Sequence, residues 1–364
     1  MDITPYLHLM VEKNASDLFF STGSPVGIKV EGRTTSIGDT PLPEGETKRL
    51  AYSLLSDRQV AVFEEEMELD FAISVKEEGR FRVNLFRQRG EVAMVIRFVK
   101  SLIPTAEELH LPALLNDLVM APRGLILVVG TTGCGKSTTL ASMIEYRNLS
   151  TTGHILTIED PIEFVHKHHK SIVNQREIGT DTKSYAAALK RAMREAPDVI
   201  LIGEIRDRET MEQAISYAQT GHLCLSTLHA SNANQTMERI INFFPPEAHR
   251  QLFMDLSLNL TAVVSQRLVK GVDGKRYPAV EVLLNSPYVA ELIDKGEVGE
   301  IKEAMKHSTE QGMQTFDQAL YNLYHQGRID LDEALANADS RNDLGLKIRL
   351  GKGAADSLGV SIEE

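Results

Sequence analysis

Only two cysteines occur in the 364 residues, Cys134 and Cys224, and they form no C-x-x-C pair. A disulfide framework is thereby excluded, and a reducing, cytosolic compartment is expected. No apolar run approaches the roughly 20 residues that span a bilayer, so any membrane role should come through a partner. The N-terminal MDITPYLHLMVEKN has early acid and no uninterrupted apolar core, and does not read as a secretory signal. Positive charge is in short supply: 39 Lys and Arg against 51 Asp and Glu leave a formal charge of −12. That balance weighs against a protein whose main task is gripping a nucleic-acid backbone, while leaving room for a local basic patch. Internal repeats and low-complexity tracts are missing as well. What remains is 42% hydrophobic and 25% charged, a soluble globular composition long enough for two domains with separate cores.

Residues 1–99 read as a small α+β domain. A helical start over Tyr6 to Lys13 precedes VGIKV and TTSIG, which flank the turn Glu31-Gly32-Arg33 as a hairpin. In GRFRVNLF, Phe81, Val83 and Leu85 alternate with Arg82 and Asn84; in EVAMVIRFV, Val92, Met94, Ile96 and Phe98 alternate with Arg97. Period-two alternation puts the apolar set on a core face and the arginines on the other. The turns KEEG and RQRG close these strands. Residues 100–120 read as a linker with a short helix, because Thr105 and Glu108 after Pro104 form a capping-box signature.

From Arg123 the pattern changes. GLILVVG, HILTIED, DVILIGE and HLCLSTL are short apolar runs without alternation, mostly separated by helix-like stretches. Strands buried on both faces of a mostly parallel sheet have this appearance, so the class is α/β over 121–345. The chain turns helical from about Asn285. Phe316, Leu320, Leu323 and Tyr324 share one helical face, and Gly327 ends that helix. The end of the chain, 346–364, is expected to be a disordered tail.

GTTGCGKS, Gly130 to Ser137, matches the phosphate-loop pattern G-x-x-x-x-G-K-[ST], after a strand and before a helix, which is the context the motif requires. Its glycines let backbone N–H groups face phosphate oxygens, with help from the helix N-terminus. Lys136 would reach the β- and γ-phosphates and Ser137 would bind Mg²⁺. Cys134 within the loop reads as a small residue tolerated where backbone does the binding. Glu204 ends one buried strand, and Glu159 and Asp160 end another with Glu163 just beyond. Ligands of open α/β sheets bind at the carboxyl ends of strands, so these acids should gather where the loop opens. An aspartate commonly ends the second strand of such folds; here Gly203 takes that place and Glu204 follows.

TGHLCLSTLHA holds His222, Cys224 and His229. Because HLCLSTL reads as a strand rising about 3.3 Å per residue, the two histidines bracket it too far apart to share a zinc ion. Cys224 reads as core. HKHHK, His166 to Lys170, reads as a solvated turn more readily than as a metal tract. Arg206 and Asp207 read as a relay or a local ion pair.

GTTGCGKST, HILTIEDPIEFVH, APDVILIGEIRD and TGHLCLSTLHA resemble the P-loop, acidic box, Walker B and histidine box of secretion-type hexameric ATPases. Within that group the chain is similar to the type IV pilus retraction ATPases, over essentially residues 1–350, including ASDLFF and GMQTFDQALYNLY. Pilus assembly and type II secretion ATPases usually carry a four-cysteine zinc insertion and a longer N-terminus, and neither is present. The main retraction ATPase has an Ala-Ile-Arg segment in its C-terminal helices. The corresponding SPYVAELIDKG has no arginine, and with ANADSRNDLGLKIRLGKG it resembles the accessory retraction ATPase instead.

The resemblance implies a PAS-like N-terminal domain, a RecA-like ATPase domain with C-terminal helices, a homohexamer, and ATP cleaved between subunits. It carries Gly130, Thr131, Thr132, Gly133, Cys134, Gly135, Lys136, Ser137 and Thr138 as the nucleotide loop, and Ser137, Glu159, Asp160 and Glu204 as the surroundings of Mg²⁺. Glu163 matches the general base and Glu204 the Walker B glutamate. Arg82 and Arg97 match arginines directed at a nucleotide site, and His229 a contact to the γ-phosphate or its acids. Arg267, in SQRL, is a candidate ring-interface residue. The implied partners are the paralogous main retraction ATPase and an inner-membrane pilus platform protein, with the chain cytoplasmic and docked peripherally at the inner membrane. Two other readings suit the same fold. The intact acids weigh against a non-catalytic nucleotide-binding adaptor, and the −12 charge weighs against a nucleic-acid translocase.

Overall fold

A computed structural model describes residues 2–30, 32–76, 78–99, 102–308 and 312–357, with backbone alone for 351–357. Glu31 of the hairpin turn, Glu77 of the KEEG turn, residues 100–101 of the expected linker and 358–364 of the expected tail lie outside the described residues. The chain forms two compact units: Met1–Leu102 with Ile162–His166 and Gly179–Lys183, and the remainder.

The first unit is α+β. Helix α1 (Thr4–Glu12) leads into strands β1 (Asp17–Phe20), β2 (Val26–Val30) and β3 (Arg33–Ile37), then helices α2 (Glu46–Tyr52) and α3 (Asp57–Glu66), then β4 (Glu68–Val75), β5 (Gly79–Gln88) and β6 (Glu91–Val99). The six strands form one antiparallel sheet in the order β3-β2-β1-β6-β5-β4. Phe81, Val83, Leu85, Val92, Met94 and Ile96 are buried in its core with Leu7, Met10 and Phe63 from the helices. The alternation in β5 and β6 therefore did point inward as expected. Helix α3, which no sequence reading anticipated, starts at a full capping box between Ser56 and Gln59.

The second unit begins with residues read as linker. Thr105 and Glu108 form the expected reciprocal bonds, Thr105 N to Glu108 at 2.8 Å and Glu108 N to the Thr105 hydroxyl at 3.2 Å. Ala106 and Leu111, with Leu115, Leu118 and Val119 from α4 (Leu114–Val119), are buried in the core of the second unit, so this stretch is packed chain rather than a free tether.

After it come β7 (Gly124–Val129), α5 (Lys136–Ser150), β8 (Gly153–Glu159), β9 (Ser171–Glu177), α6 (Tyr185–Ala192), β10 (Val199–Ile202), α7 (Arg208–Gln219), β11 (Leu223–Leu228), α8 (Ala233–Asn242), α9 (His249–Asn259), β12 (Leu260–Lys270) and β13 (Arg276–Leu284). Their sheet has the order β13-β12-β7-β11-β10-β8-β9, parallel except for the β12–β13 pair. One face is covered by α4 and α5, the other by α6 to α9 with α10 (Pro287–Lys295) and α11 (Ile301–Lys306). Every residue of β7, β10 and β11 is buried, which is why these runs show no alternation.

Helices α12 (Phe316–His325), α13 (Leu331–Asn337) and α14 (Arg341–Ser357) close a smaller core against β12 and β13. The expectation of a disordered tail fails over 346–357, which continue α14. Leu344 and Ile348, four residues apart on one helical face, are buried in that core and hold the helix down. Among the described residues no helix is long and apolar enough to cross a membrane.

Candidate active site

Because β7, β11, β10 and β8 are parallel, their carboxyl ends share one edge. Val129 lies opposite Leu228, and Ile202 lies opposite both Ser226 and Ile158. The phosphate loop leaves that edge from β7. Gly133 (φ +78°) and Gly135 (φ +95°) occupy the left-handed region that favours glycine, which bends the loop into the first turn of α5. A side chain at Gly130 would come within 2.4 Å of Cys134 Sγ and 2.5 Å of the Gln266 carbonyl oxygen. Lys136 is buried, and its Nζ donates to the carbonyls of Gly130 (2.9 Å) and Thr131 (3.0 Å). Those bonds hold the ammonium across the loop and leave one of its three N–H directions for a phosphate oxygen.

Gln266, on β12, braces the loop and was not singled out from the sequence. Its amide donates to the Cys134 carbonyl (2.8 Å) and accepts from the Thr139 hydroxyl (2.7 Å), so one side chain fixes both the loop and the first turn of α5. Its neighbours in the chain, Ser265 and Arg267, gave no hint that this glutamine is buried to 4% exposure. Cys134 is packed beneath, and burial pushes its thiol up against the opposing pull of Lys136, so it is no activated nucleophile.

Along the same edge, Glu204 sits at the centre of a charged cluster. Its Oε1 meets His229 Nε2 at 3.0 Å and its Oε2 meets Arg206 Nε at 2.6 Å, while Arg206 Nη1 lies 3.8 Å from Asp160 Oδ2. The bond to Glu204 raises the Arg206 guanidinium further above its ordinary range. Glu159 accepts from the Thr157 hydroxyl (2.6 Å) and the Gln175 amide (3.2 Å). Four residues picked out on sequence grounds, Glu159, Asp160, Glu204 and His229, thus line adjacent strand ends in the second unit, with Arg206 tying two of them together.

Gly203 also has a structural explanation. A Cβ there would lie 2.7 Å from the Tyr185 hydroxyl, 3.2 Å from Glu159 Cα and 3.3 Å from the Ile158 carbonyl oxygen. No side chain fits, so the acid is displaced by one residue to Glu204. Tyr185, first residue of α6 after the Ser184 cap, is a further site neighbour that spacing in the sequence could not reveal. Burial chiefly, and then the charge of Asp160, hold its phenol well above the ordinary range.

The remaining candidates separate. His222 caps the other end of β11, near the Thr220 hydroxyl (3.1 Å) and the Tyr217 carbonyl (3.3 Å). Cys224 is wholly buried, and desolvation drives its thiol far up. In HKHHK, His168 accepts from Val173 N (3.1 Å) and His169 pairs with Glu145 (3.0 Å), so these side chains shape the entry to β9. Arg267 is engaged inside the chain, 2.7 Å from Asp339, bonded to the Asn337 carbonyl and stacked on Phe316 at 3.8 Å. Glu163, Arg82 and Arg97 belong to the first unit. There Glu163 is exposed, and Arg82 and Arg97 are register partners on the outer face of β5 and β6, with Arg97 Nε 2.8 Å from Asp17.

A braced phosphate loop beside a line of acids on one sheet edge defines a P-loop ATPase. The chain belongs to the type II/IV secretion system protein family, whose profile matches residues 3–344. It is 55% identical over 370 residues to the type IV pilus ATPase PilU of Pseudomonas aeruginosa, covering 100% of this chain and 97% of that one. To the type IV pilus retraction ATPase PilT of the same organism it is 42% identical, over 93% of this chain and 98% of the relative. The crystal structure of the pilus retraction motor PilT with bound ADP superposes with a TM-score of 0.88 at 41% identity, over 94% of this chain and 98% of that one.

Proposed function

We propose that this chain is an ATP-hydrolysing motor subunit of a type IV pilus machine, driving or assisting retraction, and with it twitching motility and DNA uptake, as an accessory to the main retraction ATPase. The observation that carries the reading is Glu204, held by His229 on one oxygen and Arg206 on the other, on the sheet edge from which the phosphate loop departs.

Phosphoryl transfer to water needs positioning and charge neutralisation more than covalent chemistry. Residues Gly130 to Thr138 wrap the phosphates, and Lys136 supplies a fixed positive charge. Glu163 acts as general base, Glu204 orients the attacking water, and His229 senses the γ-phosphate through its contact with Glu204. Arg82 and Arg97 of the first unit add positive charge at a nucleotide. The donor set fits Mg²⁺, which takes one or two carboxylates plus phosphate oxygens and retained waters. Ser137, Glu159, Asp160 and Glu204 offer such oxygens, and among the described residues no three carboxylate, histidine or cysteine groups converge to hold an ion alone. When bound, the ion neutralises charge on the phosphates. A homohexameric ring, contact with the main retraction ATPase and peripheral docking on an inner-membrane platform protein complete the proposal.

The test is ATP hydrolysis by the purified chain, alone and with the main retraction ATPase. Lys136→Ala should abolish turnover, and Glu163→Gln should bind ATP without cleaving it. Normal turnover by Lys136→Ala would sink the assignment. A chain inactive alone and unchanged by its paralogue would favour the adaptor.

A further inference from the structure

Leu228, Val129, Ser265 and Glu281 form one register row across β11, β7, β12 and β13. It is the last row before the phosphate loop leaves β7 and His229 leaves β11. Register partners face the same side of a sheet, so Ser265 and Glu281 lie on the side where Val129 and Leu228 enter the core beneath α6 to α9. A carboxylate is out of place in such a row, yet Glu281 is only 2% exposed. Its Oε1 accepts from the Ser265 hydroxyl (3.1 Å) and from the N–H of Ala233 (2.8 Å). Ala233 is the first residue of α8, where N–H groups have no partner within the helix. The Asn232 side chain takes the Gln235 N–H, and Glu281 takes the Ala233 N–H from below.

Arg267 reaches the same turn from β12. Its Nη2 donates to the Ser231 carbonyl (3.3 Å) and its Nη1 to the Asn337 carbonyl (2.8 Å), while Asp339 pairs with the guanidinium at 2.7 Å. Asp339 is held in turn by Lys302 of α11 (2.7 Å), and its own N–H donates to Asp317 of α12 (2.8 Å). Only residues 230–232 separate His229 from α8, so the turn that carries the imidazole is gripped at Ser231 and again at Ala233 by side chains rising from the sheet. A leucine at 281 would fill the core without the cost of burying an acid. Folds break the apolar-core rule chiefly where function asks for it.

We propose that Glu281 and Arg267 are positioning residues for His229, fixing the turn between β11 and α8 so that the imidazole stays on Glu204. The inference rests on the reading of His229 as the γ-phosphate sensor, and it adds what holds the sensor in place. Neither residue touches nucleotide; each acts through the backbone that follows His229.

The experiment measures kcat and KM for ATP with Mg²⁺ on the full chain. Glu281→Leu keeps the bulk and removes the acceptor. Glu281→Gln keeps an oxygen for the Ala233 N–H. Arg267→Lys keeps a charge beside Asp339 and loses the planar fork that spans Asp339 and two carbonyls. Glu281→Leu and Arg267→Lys should each lower kcat about tenfold, short of the roughly hundredfold that a 1 Å misplacement costs. The KM for ATP should stay within about twofold, because binding by the phosphate loop is untouched. Glu281→Gln should keep most of the wild-type kcat. In a His229→Ala background none of the three should lower kcat further, since nothing is left to position. Should Glu281→Leu fail to fold, Arg267→Lys carries the same comparison. Wild-type kcat in both Glu281→Leu and Arg267→Lys, beside an impaired His229→Ala, would overturn the positioning role and leave the sensor reading standing. A full further loss on top of His229→Ala, or Glu281→Gln as poor as Glu281→Leu, would overturn it as well. Full turnover in His229→Ala would overturn the sensor reading and the positioning role together.

Discussion

Replacing Gly203 with alanine inserts one methyl group where three atoms already stand. The closest is the Tyr185 hydroxyl at 2.7 Å; the other two, Glu159 Cα at 3.2 Å and the Ile158 carbonyl oxygen at 3.3 Å, are backbone of β8. That backbone is fixed, because Ile158 pairs with Ile202 and Gly203 N donates to the Ile158 carbonyl at 2.8 Å. The tyrosine can give way and the strand cannot. Overpacking of this kind costs about 1–3 kcal/mol, offset by about 0.4–1 kcal/mol because alanine restricts the unfolded chain more than glycine does. A net loss of about 1–2 kcal/mol follows, and since Glu204 is the next residue, its carboxylate is displaced too. A shift of about 1 Å in a catalytic group costs on the order of a hundredfold in rate. Tyr185→Phe removes the atom at 2.7 Å, so the double variant should recover about half the lost stability and much of the turnover. Urea midpoints and ATP turnover for the four proteins of this cycle give the coupling energy directly. Full stability and turnover in Gly203→Ala, or a second substitution that restores nothing, would refute the claim that Tyr185 and β8 leave no room beside Glu204.

Gln266→Ala should cost about 2 kcal/mol for its two lost buried bonds, lower the melting temperature and raise the KM for ATP by loosening the loop; an unchanged KM would dismiss the brace. Arg267→Ala should cost about 1–2 kcal/mol, since it removes one of the two cations on Asp339, leaving Lys302 at 2.7 Å, together with the stack on Phe316; limited proteolysis should then cut within α12 to α14 first, and an unchanged cleavage pattern would count against the clamp. Burial is the main influence on Glu281 and holds its carboxyl above the ordinary range, opposed by the Ala233 N–H and the Ser265 hydroxyl. A raised carboxyl gives stability that is full below its unfolded value of about 4.3 and is lost as pH rises through the folded value. Glu281→Gln should therefore gain on the wild type as pH climbs from about 5 to 8, and melting curves showing a constant difference would contradict this.

What could be read directly from the sequence was whatever depends on local order. The phosphate loop, the four buried runs, the Thr105–Glu108 cap and the amphipathic face of α12 each lie within a short window, where periodicity and capping act. The hairpin of β12 and β13 escaped notice because its polar members, the buried Gln266 and Glu281 and the half-buried Arg267, are held by distant partners that no window contains. Tyr185 was missed for the same reason: the chain between Asp160 and α6 passes through β9 before returning to the acids. The buried Ile348 was hidden among glycines and charges that by composition suggested disorder.

Gln266 and Arg267 are consecutive residues whose side chains leave β12 on opposite faces, one gripping the nucleotide loop and the other the C-terminal helices. A single peptide plane separates the two grips, within a strand that is paired with β13 at both residues and with β7 up to Ser265 just before them. Strain set up at the loop would reach the helices as through a rigid rivet, with almost no travel lost. A motor built on such a chain would have to find its slack elsewhere.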